Sequence, residues 1–156
     1  MINIITGPRN SGKSSYFLRL YQEAGATDAG LFNLKRFDVA KNIEGYDLLL
    51  LPQREQIPLA RLQDNIDCFK EEKTIQQGQL VFSQLAFDTA TTYILSHPVL
   101  THVWIDEIGK LEIQDLGYAS LIRELLSRNI NMTLTIRDSQ LFTFLSAYAV
   151  SDFHIL

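Results

Sequence analysis

Apolar residues along the chain follow two spacings, and the alternation between them predicts an α/β fold. Short apolar or β-branched runs typical of strands are separated by segments in which apolar residues recur at helical spacing. Strands that alternate with helices predict a mostly parallel sheet with helices on both faces. Strands are predicted at residues 2–5, 31–39, 46–51, 57–62, 80–82, 99–105, 130–136 and 151–156. Helices are predicted at residues 16–24, 83–96, 118–128 and 138–148, with Ser83 and Asp138 as caps of the second and the last.

The region between residues 31 and 62 contains three successive strand runs joined by turn signals. This spacing indicates an antiparallel meander inserted after the first strand–helix unit. Its basic residues, Lys35, Arg36, Arg54 and Arg61, are interpreted as solvated surface charges. The alternative is that the meander carries a surface for base recognition or for an acceptor substrate. Residues 62–78 are polar and mixed, and no structure is predicted for them.

Composition and charge limit the class of protein. The 156 residues, 46% of them hydrophobic, predict one globular domain over residues 1–156. A net charge of -4 argues on electrostatic grounds against a general nucleic-acid partner, because such binders carry a basic surface. One cysteine, Cys68, allows neither an internal disulfide nor a cysteine metal cluster. With no signal-peptide pattern and no apolar run of about 18 residues, we expect a cytoplasmic protein without a membrane partner.

The first strand run leads directly into the pattern G-x-x-x-x-G-K-[ST], which is typical of a phosphate-binding loop. Glycines allow the backbone N–H groups to curl around a polyphosphate, and the following helix directs its positive N-terminus at the anion. The loop lysine, Lys13, reaches the β- and γ-phosphates, and the hydroxyl of Ser14 can ligate Mg²⁺. The predicted phosphate-binding residues are Gly7, Pro8, Arg9, Asn10, Ser11, Gly12, Lys13, Ser14 and Ser15.

A second group of candidate residues follows two of the later strands. Asp106 and Glu107 come at the end of the run 99–105, and two consecutive carboxylates at the end of a buried strand need an explanation, because burying an unpaired charge is unfavourable. A metal-bound triphosphate supplies an explanation, with Asp106 holding Mg²⁺ and Glu107 polarising the attacking water as a general base. Arg137 follows the run 130–136, where it could stabilise charge on the γ-phosphate, although an ordinary surface arginine is the alternative.

Residues 104–112, W-I-D-E-I-G-K-L-E, closely resemble the D-E-I-G-K-[ML]-E signature of a family of small nucleoside triphosphatases. This family is known from thermophilic bacteria and archaea and, in vertebrates, as the cancer-related nucleoside triphosphatase. Residues 45–48 and 57–61 are similar to its G-F-…-L-A-R region. The chain differs from the family in having Arg9-Asn10-Ser11 inside the loop and Ser14-Ser15 where Thr-Thr is more usual. It also lacks the family's Thr-x-Glu-Val-Arg stretch around residues 33–36.

The resemblance implies a three-layer P-loop NTPase fold with a RecA-like sheet. It also implies Mg²⁺-dependent hydrolysis of the γ-phosphate of ATP, GTP and other triphosphates, with loose base selectivity. Carried over by position, Gly7, Gly12, Lys13 and Ser14 would bind phosphate and metal, Asp106 would bind the metal and Glu107 would activate water. The candidate catalytic residues are thus Lys13, Glu107 and Arg137, of which Arg137 is a candidate only for its place at the end of a strand. Two other functions use the same site: a small-molecule or nucleotide kinase, and a nucleotide-switched binding module with negligible turnover. The signature residues Lys110 and Glu112 receive no role from the sequence beyond positioning the loop.

Overall fold

Nine strands form one continuous mixed sheet in the computed structural model, which describes residues 1–156. The strands are β1 (Ile2–Gly7), β2 (Ala29–Phe37), β3 (Ile43–Leu51), β4 (Glu55–Leu62), β5 (Thr74–Gln77), β6 (Leu80–Ser83), β7 (His102–Ile108), β8 (Asn131–Arg137) and β9 (Phe153–Ile155). The helices are α1 (Lys13–Glu23), α2 (Gln84–Leu95), α3 (Lys110–Ile113), α4 (Ala119–Ser127) and α5 (Asp138–Ala147), and a 3₁₀ segment spans Gln63–Phe69. None of the helices is long and apolar enough to cross a membrane.

The strand order is β5-β6-β4-β3-β2-β7-β8-β1-β9. Strands β2, β7, β8, β1 and β9 pair in parallel, and the meander β2-β3-β4 pairs antiparallel. The predicted α/β architecture with an added antiparallel meander is therefore confirmed. The β5–β6 hairpin continues the antiparallel half, so the region for which no structure was predicted contributes the 3₁₀ segment and an edge strand.

Helices cover both faces of the sheet, as the alternation of strands and helices predicts. Successive strand residues point to opposite faces, so Ile105 belongs to one apolar core and Trp104 to the other. Helix α1 covers the Trp104 face, where Phe17 and Tyr21 meet the indole edge-on with ring centroids 5.6 Å away in both pairs. Helices α2 to α5 cover the Ile105 face and form the larger core. The phosphate-loop helix thus lies alone on its face.

Two details of the fold correct the sequence predictions. Arg61 is 8% exposed, not a solvated surface charge, because its guanidinium donates to Asp47 and to two backbone carbonyls. Asp138 does not cap α5; it is the first residue of that helix, and Arg137 occupies the cap position in an extended conformation. The Asp138 carboxylate accepts from the N–H of Ser139 at 2.7 Å, where the helix N-terminus favours a negative charge.

Candidate functional site

The carboxyl ends of three neighbouring parallel strands bring the predicted site residues together. In the parallel register of β1 and β8, Gly7 lies opposite Arg137, so the phosphate loop begins beside the arginine. Strand β7 pairs with the other side of β8 and carries Asp106 and Glu107. Ligands of open α/β sheets bind at such an edge. The fold therefore assembles at one place residues that are 130 positions apart in the chain.

Three residues from the end of β1 to the start of α1 have a positive φ: Gly7 (φ 154°), Asn10 (φ 60°) and Gly12 (φ 86°). A Cβ on Gly7 would lie 2.9 Å from the hydroxyl of Ser11, so the tight curl requires glycine there. Gly12 is the N-cap of α1 and offers no side-chain acceptor to the first turn. The first N–H groups of α1 are consequently available to an anion, as the sequence pattern predicts.

The ammonium group of Lys13 folds back over this loop. Its Nζ donates to the carbonyl oxygens of Gly7 at 3.0 Å and Pro8 at 2.6 Å. Both carbonyls belong to the loop that a polyphosphate would occupy, so the ammonium group of Lys13 lies beside that loop. A lysine so placed can provide a point charge to the β- and γ-phosphates of a nucleotide.

A hydrogen-bonded group of side chains joins the helix to the strands. The hydroxyl of Ser14 donates to Oδ1 of Asp106 at 3.1 Å, and that of Thr135 donates to the same oxygen at 2.7 Å. The N–H of Asn33 donates to Oδ2 at 3.4 Å. Burial, followed by the charge of Glu107, raises the pKa of Asp106 to about 7, and these hydrogen bonds oppose the rise only in part. Asp106 is fully buried, so a nearby cation would stabilise its ionised form.

Glu107 lies inside β7, not after it as the sequence predicts, because the strand continues to Ile108. The register of β7 against β8 shifts between Ile105 and Ile108, and Glu107 has a left-handed φ of 58°. Its N–H donates to Thr135 Oγ1 at 2.7 Å, while its exposed carboxylate accepts from the amide of Asn33 at 3.4 Å. The bulge thereby turns two adjacent carboxylates in different directions. The side chain of Asp106 is buried in the protein, and that of Glu107 is exposed to solvent.

A cleft of about 420 Å³ opens beside these residues. Arg9, Asn10, Lys13, Glu107 and Arg137 all line it, although the side chain of Arg137 makes no hydrogen bond in the structure and remains exposed. The lining contains more cationic side chains than carboxylates, in contrast to the negative net charge of the chain. Such a local positive field attracts polyphosphates. The cationic lining residues are Arg9, Lys13, Lys35, Lys110 and Arg137, and the carboxylates are Glu107 and Glu112.

Glu112 gives the signature segment a structural role. Its buried carboxylate accepts from the N–H of Gly109 at 2.9 Å and from that of Tyr118 at 3.1 Å. A Cβ on Gly117 would lie 2.3 Å from Glu112 Oε1, so the loop closes around the carboxylate only with glycine there. The carboxylate of Glu112 therefore fixes the segment from Gly109 to Tyr118 by hydrogen bonds to the backbone at both of its ends. Lys110 is an exposed residue in the wall of the cleft.

Asn33 and Thr135 are site residues that the sequence does not reveal as functional. Both lie on predicted strands, where each reads as one polar residue of an alternating pattern. Their roles come from the pairing of β2 and β8 with β7, which places them on either side of the bulge. Thr135 is a polar residue near the carboxyl end of its predicted strand, and this position is the one signal that could have indicated it. Asn33 lies near the start of its predicted strand and carries no such signal.

The strand, glycine-rich loop and helix, together with an acidic residue on a neighbouring parallel strand, define the class of P-loop nucleoside-triphosphate-binding proteins. A family model described as "NTPase" matches residues 3–155, and the chain belongs to this family. Membership supports hydrolysis of nucleoside triphosphates in general terms. The resemblance noted in the sequence is thus confirmed at the level of the family.

Two solved structures are similar to this one. THEP1 from the hyperthermophile Aquifex aeolicus shares 18% identity with a TM-score of 0.71, covering 100% of this chain and 88% of that protein. The solution structure of a human cancer-related nucleoside triphosphatase shares 20% identity with a TM-score of 0.68, covering 98% of this chain and 86% of that protein. At these identities the likeness shows the shared fold. No match is found among curated proteins.

Proposed function

We propose that the protein is a Mg²⁺-dependent nucleoside triphosphatase that hydrolyses the γ-phosphate of ATP, GTP and other triphosphates. The observation that carries this proposal is the connection of Ser14 to Asp106 beside Glu107, at the mouth of the phosphate loop. Loop N–H groups and Lys13 recognise phosphates, which are common to all nucleoside triphosphates. Loose base selectivity follows from this mode of recognition.

The donor atoms at the loop fit Mg²⁺. Ser14 and Asp106 offer a hydroxyl and a carboxylate oxygen within 3.1 Å of each other. The structure contains no group of three or more His, Cys, Asp or Glu side chains that could hold a metal alone. Mg²⁺ prefers oxygen ligands, keeps several waters and uses one or two protein ligands together with substrate phosphates. When bound, it would neutralise charge on the β- and γ-phosphates.

Glu107 is the residue proposed to take the proton from the attacking water. Its carboxylate is exposed to the cleft, and the bulge in β7 separates it from the metal-binding Asp106. The amide of Asn33 contacts Glu107, and its buried Oδ1 has no hydrogen-bond partner. Asn33 is thus proposed to orient both the base and the water that approaches it. Arg137 and Arg9 line the same cleft and are proposed to stabilise charge on the γ-phosphate.

The test is phosphate release from ATP, GTP and CTP, with and without Mg²⁺, for the native chain and two variants. We expect Glu107→Gln to lose hydrolysis while retaining nucleotide binding. Fluorescence titration with a labelled ATP measures the binding. Lys13→Ala should lose both. Matched controls are Glu71→Gln and Lys73→Ala, exposed residues whose side chains do not line the cleft. A native chain that binds nucleotide and releases no phosphate would overturn the proposal.

A further inference from the structure

One part of the cleft wall is formed by apolar side chains that the hydrolysis of a triphosphate does not need, and the space beside them is here called the chamber. This chamber lies on the face opposite to α1, against the larger core. Phe87 stacks on Phe82 at 6.0 Å and meets Tyr118 edge-on at 4.8 Å, so its aromatic wall is fixed by packing. A cleft of about 420 Å³ with such walls falls in the size range of small-molecule sites. The walls are formed by Tyr46, Leu59, Leu80, Phe82, Phe87 and Tyr118.

Two residues that line the cleft carry buried polar atoms without a hydrogen-bond partner. They are the hydroxyl of Tyr118, a residue that is 2% exposed, and the amide oxygen of Asn33. Burial, together with the charges of Glu112, Asp106 and Glu107, raises the pKa of Tyr118 well above its ordinary value, so its hydroxyl remains a donor. A buried polar group without a partner is unfavourable. A ligand hydroxyl group can accept a hydrogen bond from the hydroxyl of Tyr118 or donate one to Oδ1 of Asn33.

The position of the chamber relative to Glu107 indicates which ligand it takes. In-line phosphoryl transfer places the attacking oxygen and the leaving diphosphate on opposite sides of the γ-phosphorus. Glu107, as the base of the proposed function, stands on the side of the attacking oxygen. Ile108, Leu111 and Tyr118 follow it in the chain and line the same cleft. The chamber therefore adjoins the side of the nucleophile, while the nucleobase is attached to the leaving diphosphate.

We propose that the chamber binds a hydroxyl-bearing small molecule with an aromatic or other apolar body, and that this molecule can replace water as the acceptor of the γ-phosphoryl group. In this step the acceptor oxygen forms a bond to the γ-phosphorus. The bond from that phosphorus to the β,γ-bridging oxygen breaks, and its electron pair leaves with the nucleoside diphosphate. The hydroxyl proton passes to Glu107. The inference rests on the proposed function for the role of Glu107.

The test incubates the native chain and Mg-ATP with benzyl alcohol in one reaction and with ethanol at the same concentration in another. Phosphorus NMR then measures the phosphomonoester and inorganic phosphate formed. We expect benzyl phosphate to form with saturation, at a ratio to inorganic phosphate at least about tenfold that for ethanol, since the ring buries apolar surface. Tyr118→Phe should lower this ratio roughly fivefold, the value of one hydrogen bond. The control, Tyr93→Phe, removes a hydroxyl that donates to Leu51 outside the chamber and should leave the ratio unchanged.

The outcomes separate this inference from the proposed hydrolysis. Steady phosphate release without any phosphomonoester would overturn the inference and leave the triphosphatase intact. Inhibition by benzyl alcohol that is competitive with ATP would also overturn it, because the chamber would then hold the nucleobase. Benzyl phosphate formed without hydrolysis would support the inference and overturn the triphosphatase. Nucleotide binding with neither product would overturn both.

Discussion

The hydroxyl of Ser14 lies 3.1 Å from Oδ1 of Asp106, a contact between residues 92 positions apart in the chain. It joins the second residue of α1 to the bulged end of β7. The hydroxyl of Thr135, on the neighbouring strand β8, donates to the same oxygen of Asp106. The two oxygen ligands proposed for Mg²⁺ are therefore positioned by the sheet before any nucleotide arrives, which lowers the entropic cost of forming the site.

Replacing this hydroxyl tests the proposed metal site. We expect Ser14→Ala to reduce phosphate release by roughly 100-fold and to raise the Mg²⁺ concentration needed for half-maximal activity, because one ligand is lost. A Mg²⁺ titration of the hydrolysis rate measures both. Ser96→Ala removes a hydroxyl at the distant end of α2 and serves as the control. An unchanged Mg²⁺ requirement in Ser14→Ala would exclude the hydroxyl as a ligand.

Arg137 tests whether a positive charge in the wall of the cleft acts in the transition state. Its side chain is free of hydrogen bonds in the structure and lines the cleft next to Gly7. We expect Arg137→Ala to lower kcat by roughly 10- to 100-fold with little change in KM, because charge develops on the γ-phosphate mainly during transfer. Steady-state kinetics distinguish this from a binding role, which would raise KM alone. Arg128→Ala, which breaks a surface pair with Glu124, provides the comparison.

The sequence predicts the strand–loop–helix unit well because this unit is local. Residues 7–14 specify both the curl of the backbone and the start of α1 without help from distant parts of the chain. The mostly parallel sheet and the added meander also follow from hydrophobic spacing, whereas the order of the strands in the sheet does not. The family signature indicates Asp106 and Glu107 as candidate site residues.

Features that depend on pairing between distant segments could not be predicted. Arg61 reads as a surface charge in the sequence, and only the antiparallel register of β3 and β4 brings it beside Asp47. The same holds for Thr135, which becomes part of the site through the register shift of β7 against β8. The apolar chamber requires residues from strands and helices that are far apart in the chain. The spacing of hydrophobic residues along the chain does not predict such contacts.

The ion pair between Asp47 and Arg61 is expected to be a major element of stability. The Arg61 guanidinium donates to Asp47 at 2.7 Å, and the side chains are only 4% and 9% exposed for Asp47 and Arg61. Burial alone would raise the pKa of Asp47, but hydrogen bonds from Gln56, Arg61 and Arg36 outweigh it and lower that pKa. Removing one partner leaves the other charge buried and uncompensated.

We therefore expect Asp47→Ala to lower the free energy of unfolding by roughly 3–5 kcal/mol. The control is Arg36→Ala, which removes a half-exposed partner of the same carboxylate and should cost below about 1 kcal/mol. Urea denaturation followed by circular dichroism gives both values. Equal losses in the two variants would mean that the buried pair contributes no more than the exposed one. An Asp47→Ala chain that does not fold at all would agree with the larger value.

Glu112 should make the stability of the protein depend on pH. Its burial raises the pKa of the carboxyl from 4.5 to about 6, and the two N–H donors of Gly109 and Tyr118 do not offset that burial. A carboxyl with a raised pKa favours the fold while protonated, so its contribution is complete below pH 4.5. The contribution is lost as the pH rises through about 6, and the loss amounts to about 2 kcal/mol.

Glu112→Gln isolates this effect because an amide does not titrate. The variant is less stable throughout, since its amide nitrogen cannot accept from a backbone N–H. The informative quantity is the change in unfolding free energy between pH 4.5 and pH 7.5, measured by urea denaturation in both chains. All other titrating groups are shared, so their contributions cancel in the comparison. We expect the native chain to lose about 2 kcal/mol more than the variant over this range, and equal changes would show that Glu112 titrates normally.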